Sequence, residues 1–105
     1  MCESDIKFAV GTYTVLGGEG VLIYSLNPRT LQAECLGRHR VENPSFLCAS
    51  PSGGHVYAVN ESGSQSGVHH LAVDENGALT ACQTVASGDD PCHILWLSPR
   101  TLCIS

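Results

Sequence analysis

The chain has 105 residues, of which 43% are hydrophobic and 14% are charged, a composition that suits a globular fold. Ten acidic residues against five basic ones give a formal net charge of −5, which argues against a surface that binds nucleic-acid phosphates. The N-terminal residues 1–5 form no secretory signal, and no segment approaches the roughly 18 apolar residues of a membrane-spanning helix. We therefore expect a cytoplasmic protein that binds neither nucleic acid nor a membrane.

The sequence predicts short β-strands and almost no helix. Runs rich in Val, Ile, Leu and Tyr alternate with clusters of Gly, Pro, Asn, Asp and Ser, which supply the backbone angles of tight turns. The predicted strands, in chain order, cover residues 7–13, 20–26, 32–40, 45–50, 55–60, 67–74, 79–86, 93–98 and 102–105. The expected fold class is therefore all-β.

Part of the sequence repeats after 47 residues. Residues 21–27 align with 68–74, and residues 43–47 align with 90–94. A period of this size made of short strands is typical of a β-propeller, in which each repeat forms one blade of four antiparallel strands. The repeat predicts a β-propeller with blades of this kind.

The same period divides the chain, residues 1–105, into parts of one propeller domain. With strands a to d counted outwards from the channel, residues 6–43 provide b, c and d of a first blade. Residues 44–90 provide a complete second blade, and residues 91–105 begin a third. We expect a fragment with about two blades, whose partners include the missing blades of its own ring.

The six cysteines do not indicate a disulfide framework or a metal site. Cys35 and Cys82 lie one repeat apart, so they occupy the same place in neighbouring blades, too far apart to bridge. Cys92 and His93 are adjacent on a predicted strand and point to opposite faces, which makes them poor ligands for one metal. We expect reduced thiols and no metal.

Several strings resemble the lactonase family of seven-bladed β-propellers. They are Phe-Ala-Val-Gly-Thr-Tyr-Thr at residues 8–14, Glu-Asn-Pro-Ser-Phe-Leu at 42–47, Tyr-Ala-Val-Asn-Glu at 57–61 and Pro-Cys-His at 91–93. The resemblance spans residues 7–105 and implies a seven-bladed ring. It also implies hydrolysis of a sugar lactone, 6-phosphogluconolactone, in the pentose phosphate pathway without a cofactor. The alternatives are another lactone reaction, such as muconate cycloisomerisation, and a non-catalytic propeller that binds a ligand or protein.

Strand direction predicts that polar residues gather on one rim of the propeller. Antiparallel strands put the d-to-a and b-to-c connections at the same end. The residues expected there are Thr12, Tyr13, Glu19, Asn43, Ser45, Asn60, Glu61, Asp89, Asp90 and His93.

Opening a lactone requires a general base that activates water and groups that hold the substrate. His93 is the first candidate for the base, because it begins an inner strand and imidazole changes charge near neutral pH. Glu61 is the second, either as base or as the partner that orients an imidazole. Tyr13, Asn43 and Asn60 are candidates for hydrogen bonds to substrate hydroxyls.

Each candidate also has a structural interpretation. His93 could bind a backbone carbonyl of the next blade, and residues 60–61 could form a turn that ties two blades together. Residues 43–45 could set the geometry with which the chain begins a strand, because proline fixes φ. Tyr13 could be a half-buried aromatic residue with its hydroxyl at the rim.

Overall fold

The computed structural model of the chain describes residues 5–51, 53–60, 66–86, 93–98 and 100–104. Within these residues the chain forms nine strands and one short 3₁₀ helix, Thr14–Leu16. The strands are β1 (Ile6–Gly11), β2 (Val21–Leu26), β3 (Ala33–His39), β4 (Pro44–Ala49), β5 (His55–Asn60), β6 (Gly67–Val73), β7 (Leu79–Ala86), β8 (Ile94–Ser98) and β9 (Thr101–Ile104). The all-β prediction is confirmed. No helix of the described part is long and apolar enough to cross a membrane.

The strands form three antiparallel sheets in chain order. β1, β2 and β3 make the first sheet, β4 to β7 make the second, and β8 and β9 make the third. Each strand pairs with the strands next to it in the sequence, as in the blades of a propeller. β1 lies beside β4 and β3 beside β7, so the first and second sheets pack along their length, while β8 lies beside β4 and β5.

The first strand ends earlier than the sequence predicts. β1 ends at Gly11, and the Thr12 backbone N–H still donates to Gly20 O at 2.8 Å, which continues the β1–β2 register by one pair. The Thr12 hydroxyl donates to the same carbonyl at 2.8 Å and accepts from Gly20 N–H at 3.0 Å. The side-chain bonds of Thr12 therefore close the end of the β1–β2 pair, and the 3₁₀ helix Thr14–Leu16 follows.

The core between the first and second sheets is aliphatic. Because successive side chains of a strand point to opposite faces, Val56 and Ala58 of β5 belong to this core, while Tyr57 and Val59 face the third sheet. The buried members of the first core are Val21, Ile23, Val41, Val56, Ala58 and Leu71. Burial of these side chains is the main force that holds the two sheets together.

Two glycines let β3 approach the turn that precedes β7. A Cβ atom on Gly37 would lie 2.4 Å from the Gly77 carbonyl oxygen, and one on Gly77 would lie 2.5 Å from Leu36 Cβ. Gly77 also has a φ of 87°, a region that favours glycine. Glycine at both positions is therefore required for the outer strands of the two sheets to meet.

The core between the second and third sheets is smaller. Its buried members are Val59, Val68 and Ile94, with Cys48, Tyr57 and Leu102 packed against them. Trp96 of β8 adds a hydrogen bond, because its indole Nε1–H donates to the Ala49 carbonyl at 2.8 Å. A mixed aromatic and aliphatic contact thus joins these two sheets.

Candidate functional site

Four strand ends define the candidate rim, at which β1 and β5 end and β4 and β8 begin. Pro44 at the start of β4 is the pairing partner of Asn60 at the end of β5. Gly11 ends β1 so close to β4 that a Cβ atom on it would lie 2.6 Å from Pro44 O. The chain thus brings the ends of the first and second sheets together at the edge where the sequence predicts the polar residues.

Asn43 connects the loop of residues 12–20 to the start of β4. Its side-chain Oδ1 accepts from the Thr14 hydroxyl at 3.2 Å and from the Val15 N–H at 3.1 Å. Its own backbone N–H donates to Thr14 Oγ1 at 3.2 Å. Asn43 adopts a φ of 43°, which asparagine tolerates better than most residues. The Oδ1 atom therefore holds a protein loop, and its predicted role as a substrate ligand stays a prediction.

Asn60 is fully buried at the end of β5, with 0% of its surface exposed. It faces Pro44 on one side and Gly67 on the other, so it lies between β4 and β6. A buried polar side chain is stabilised only when its donors and acceptors are satisfied within the protein. Asn60 thus lies within the second sheet, and the predicted turn of residues 60–61 that ties two blades together stays a prediction, because residue 61 lies outside the described residues.

His93 lies directly before β8, and its ring packs on Phe46 of β4. The ring centroids are 4.3 Å apart and the planes are inclined by 60°. The neighbouring Ser45 hydroxyl is buried where the β4–β5 register shifts, and it has no hydrogen-bond partner among the described residues. The structure therefore brings the imidazole of the third sheet to the start of β4, beside the residues of the second sheet.

Tyr13 directly precedes the 3₁₀ helix, with 39% of its surface exposed. Its carbonyl accepts from Leu16 N–H at 3.1 Å and from Gly18 N–H at 2.9 Å, which fixes the backbone at the 3₁₀ helix. The other predicted rim residues Glu61, Asp89 and Asp90 lie outside the described residues.

One ion pair stands at the same end of the first sheet. Arg38 Nη1 donates to Glu19 Oε2 at 2.7 Å, and both side chains are more than half exposed. The hydrogen bond and charge of Glu19 raise the pKa of the Arg38 guanidinium above its usual value. Because solvent screens the charges of an exposed ion pair, the Arg38–Glu19 pair stabilises the fold only weakly. Its effect on the site is to place a cationic group near the rim.

A cleft of about 380 Å³ lies between the first and second sheets at the opposite rim. Its apolar floor includes Ile23 and Val56, and its mouth includes Lys7, Asp74 and Glu75. The Lys7 ammonium donates to the Glu75 backbone carbonyl. This bond connects β1 to the β6–β7 turn at the opposite rim.

The described residues contain no group of three or more His, Cys, Asp or Glu side chains that could hold a metal ion. Cys35, Cys48, Cys82 and Cys103 are free thiols. Burial raises the pKa of the Cys48 thiol, which keeps it in the neutral form that packs as a small hydrophobic side chain.

Sequence reasoning missed two features of the candidate rim. Phe46 was placed in a strand but not next to His93, because the two residues belong to different sheets. The other feature is the pair of hydrogen bonds that Asn43 Oδ1 accepts from Thr14 and Val15, which lie 29 and 28 residues earlier in the sequence. The sequence signal for these bonds was Asn43 directly before Pro44. An asparagine with a positive φ often bonds nearby backbone groups with its side chain where a strand or helix begins or ends.

Three packed meander sheets with a polar rim define part of a β-propeller. The chain belongs to the lactonase family with a seven-bladed β-propeller, whose model matches residues 7–103. The resemblance found in the sequence is thereby confirmed.

Two solved structures resemble the chain closely. A "putative 6-phosphogluconolactonase" from Bacteroides uniformis ATCC 8492 has 34% identity and a TM-score of 0.84, over 90% of this chain and 29% of that one. A "putative 6-phosphogluconolactonase" from Bacteroides fragilis NCTC 9343 has 34% identity and a TM-score of 0.86, over 95% of this chain and 29% of that one. The chain thus spans less than a third of the length of either. No curated protein matches it.

Proposed function

We propose that this chain contributes to the hydrolysis of 6-phosphogluconolactone as part of a seven-bladed ring. The observation that carries the proposal is the 34% identity to two solved propellers named for this activity, over at least 90% of the chain. The pathway is then the pentose phosphate pathway, and the site of action is the cytoplasm. The partners are the sugar lactone and the remaining blades, because these residues match only 29% of each solved chain.

The reaction adds water to a carbonyl. A base removes a proton from water while its oxygen attacks the lactone carbon, and the carbonyl oxygen becomes an oxyanion. The tetrahedral intermediate then collapses, the ring C–O bond breaks, and the released alkoxide takes up a proton to give the open-chain hydroxy acid. A base and hydrogen-bond donors at one rim are the minimum that this chemistry requires.

His93 is the proposed base among the described residues. It lies directly before β8 at the candidate rim, and Phe46 supports one side of its ring at 4.3 Å. Packing that limits ring rotation keeps an imidazole nitrogen directed to one place, which lowers the entropy lost when a water molecule is positioned. Glu61 remains the proposed alternative base or orienting partner.

Tyr13, Asn43 and Asn60 have graded support as substrate ligands. Tyr13 has the best support because it is the most exposed of the three, at 39%. Asn43 supports the site by fixing the loop that carries Tyr13, through the bonds from Thr14 and Val15. Asn60 has the least support, because none of its surface is exposed to a ligand.

The proposal is tested by measuring 6-phosphogluconolactone hydrolysis above the spontaneous rate, with the chain joined to the blades that complete a ring. We expect His93→Ala to reduce kcat by about 10²–10⁴-fold, the contribution typical of a general base. His39→Ala, on an outer strand of the first sheet, is the matched control and is expected to keep the activity. A folded protein without activity would overturn the proposal and favour a propeller that only binds a ligand. Full activity in His93→Ala would remove His93 from the chemistry.

A further inference from the structure

Two histidines that are 15 residues apart in the sequence meet on the second sheet. His70 Nε2 on β6 lies 2.8 Å from His55 Nδ1 on β5, and their ring centroids are 4.8 Å apart. One of these nitrogens carries the hydrogen and the other supplies the lone pair. The hydrogen bond therefore exists only while at least one of the two facing nitrogens is unprotonated.

An aromatic row continues this pair into the third sheet. His70 stacks on Tyr57, with centroids 4.6 Å apart and planes inclined by 10°. Tyr57 in turn meets Trp96 of β8 edge-on, at 5.4 Å and 86°. Trp96 is fixed by its hydrogen bond to the Ala49 carbonyl. A displacement of the histidine rings would thus reach the contact between the second and third sheets.

The cleft beside His70 supplies the pair with no counter-charge. This cleft has a volume of about 500 Å³, and its lining contains no carboxylate, lysine or arginine. Among titratable groups, the Tyr57 phenol of β5 stacks on His70, and the Cys48 thiol of β4 packs against the adjacent cluster of Val59, Val68 and Ile94. β7 contributes Gln83, β8 contributes Trp96 and β9 contributes Leu102, all uncharged.

We infer that the His55–His70 pair is a proton-sensitive contact between the second and third sheets, which holds one proton and is broken by a second. The first proton strengthens the bond, because an imidazolium donates to a neutral imidazole. The second puts a hydrogen on both facing nitrogens and a positive charge on both rings, with no carboxylate in the lining of the cleft beside them. The rings must then separate, and Tyr57 and Trp96 lose the packing that depends on them.

The sign of the pH effect follows from the proton count. Burial first, and the charge of His55 second, lower the pKa of His70. The unfolded chain, with an ordinary histidine pKa near 6.5, therefore binds more protons than the folded chain as the pH falls. The loss belongs to the second proton: the stabilisation that depends on a neutral His70 is fully present above about pH 6.5 and is lost progressively as the pH falls towards the folded-state pKa of His70.

The wild-type chain provides the first test. Trp96 is the only tryptophan, so its fluorescence reports on the inter-sheet contact directly. We expect the ring ¹⁵N signals of His70 to show protonation at a lower pH than those of an ordinary histidine. The emission of Trp96 should shift to the red as His70 takes up this proton. Emission that is constant through the protonation of His70 would overturn the inference.

Two neighbouring substitutions sharpen the test. His70→Gln removes the pair but keeps a polar side chain, and it should abolish the acid-induced shift of Trp96. His69→Gln changes the adjacent histidine, which points to the opposite face and contacts Thr84 at 3.2 Å. It should leave the shift unchanged. The same shift in His70→Gln as in wild type would contradict the inference, and if that variant fails to fold, the wild-type titration decides.

Discussion

The two interfaces between sheets use different chemistry although they share the second sheet. The interface with the first sheet contains six buried aliphatic or alanine side chains and the close approach of Gly37 to Gly77. The interface with the third sheet has three buried aliphatic residues and an aromatic row that includes two histidines. Apolar burial does not depend on protonation, whereas the histidine contact does. We therefore expect the first interface to be the stronger and the second to be the one that responds to pH.

The largest loss is expected from a cavity in the first interface. Leu71 is 1% exposed and belongs to the aliphatic core, so Leu71→Ala removes buried methyl groups and leaves a space that the neighbours cannot close. We expect a fall in the free energy of unfolding of about 2–5 kcal/mol. Urea denaturation followed by circular dichroism measures it.

Leu16→Ala is the matched control for this cavity. Leu16 is 84% exposed in the 3₁₀ helix, and the same truncation there should change the free energy of unfolding by less than about 0.5 kcal/mol. Equal losses at both positions would contradict the core that we assign to the first interface.

A smaller but specific loss is expected from Gly77→Ala. The new Cβ atom would lie 2.5 Å from Leu36 Cβ, so the outer strands of the first and second sheets must separate. Gly53→Ala is the control, because Gly53 has a similar φ of 81° but nothing within 4 Å of the added atom. Both variants carry the backbone strain, and Gly77→Ala should lose about 1–3 kcal/mol more through overpacking. Equal unfolding free energies for the two variants would remove the steric argument.

The second interface is tested by Trp96→Phe. The substitution keeps an aromatic ring against Tyr57 but removes the hydrogen bond from Nε1 to the Ala49 carbonyl. We expect a loss of about 1 kcal/mol in the free energy of unfolding, the net value of one hydrogen bond. Hydrogen exchange should increase in β8 and β9 and stay unchanged in β1 to β3. Increased exchange in the first sheet would show that the interfaces are not independent.

The smallest effect is expected from a turn that belongs to neither interface. Leu31 has a φ of 61° and is 74% exposed between β2 and β3. Leu31→Gly relieves the left-handed strain of a leucine without removing a packed side chain, so we expect a gain of up to about 1 kcal/mol in the free energy of unfolding. A loss of stability would mean that the Leu31 side chain contributes contacts in solution.

Local sequence predicted the strands well because the relevant interactions are local. The turn after β2 has Asn27 at its start, and the Asn27 side chain accepts from Arg29 and Thr30 N–H groups, as such turns require. β5 and β7 have the predicted bounds. The end of β1 was predicted two residues too late, since the hydrogen bonds of Thr12 to Gly20 are not visible in the alternation of apolar residues.

The candidate rim was predicted in part. The strand directions were sufficient to group Asn43, Asn60 and His93 at one end, because antiparallel order follows from chain order. Their surroundings were not predictable in this way. The packing of His93 on Phe46 and the burial of Asn60 depend on how the sheets lie against each other.

The sequence by itself determined the all-β class, the 47-residue repeat and the family, because each depends on residue types at fixed spacings along one chain. Only the tertiary structure decided which side chains face each other across strands and sheets. The His55–His70 bond is the clearest case, since a shift of one residue in the register between β5 and β6 would turn His70 to the other face. Register and sheet packing are set by the whole core, and so are the contacts that depend on them.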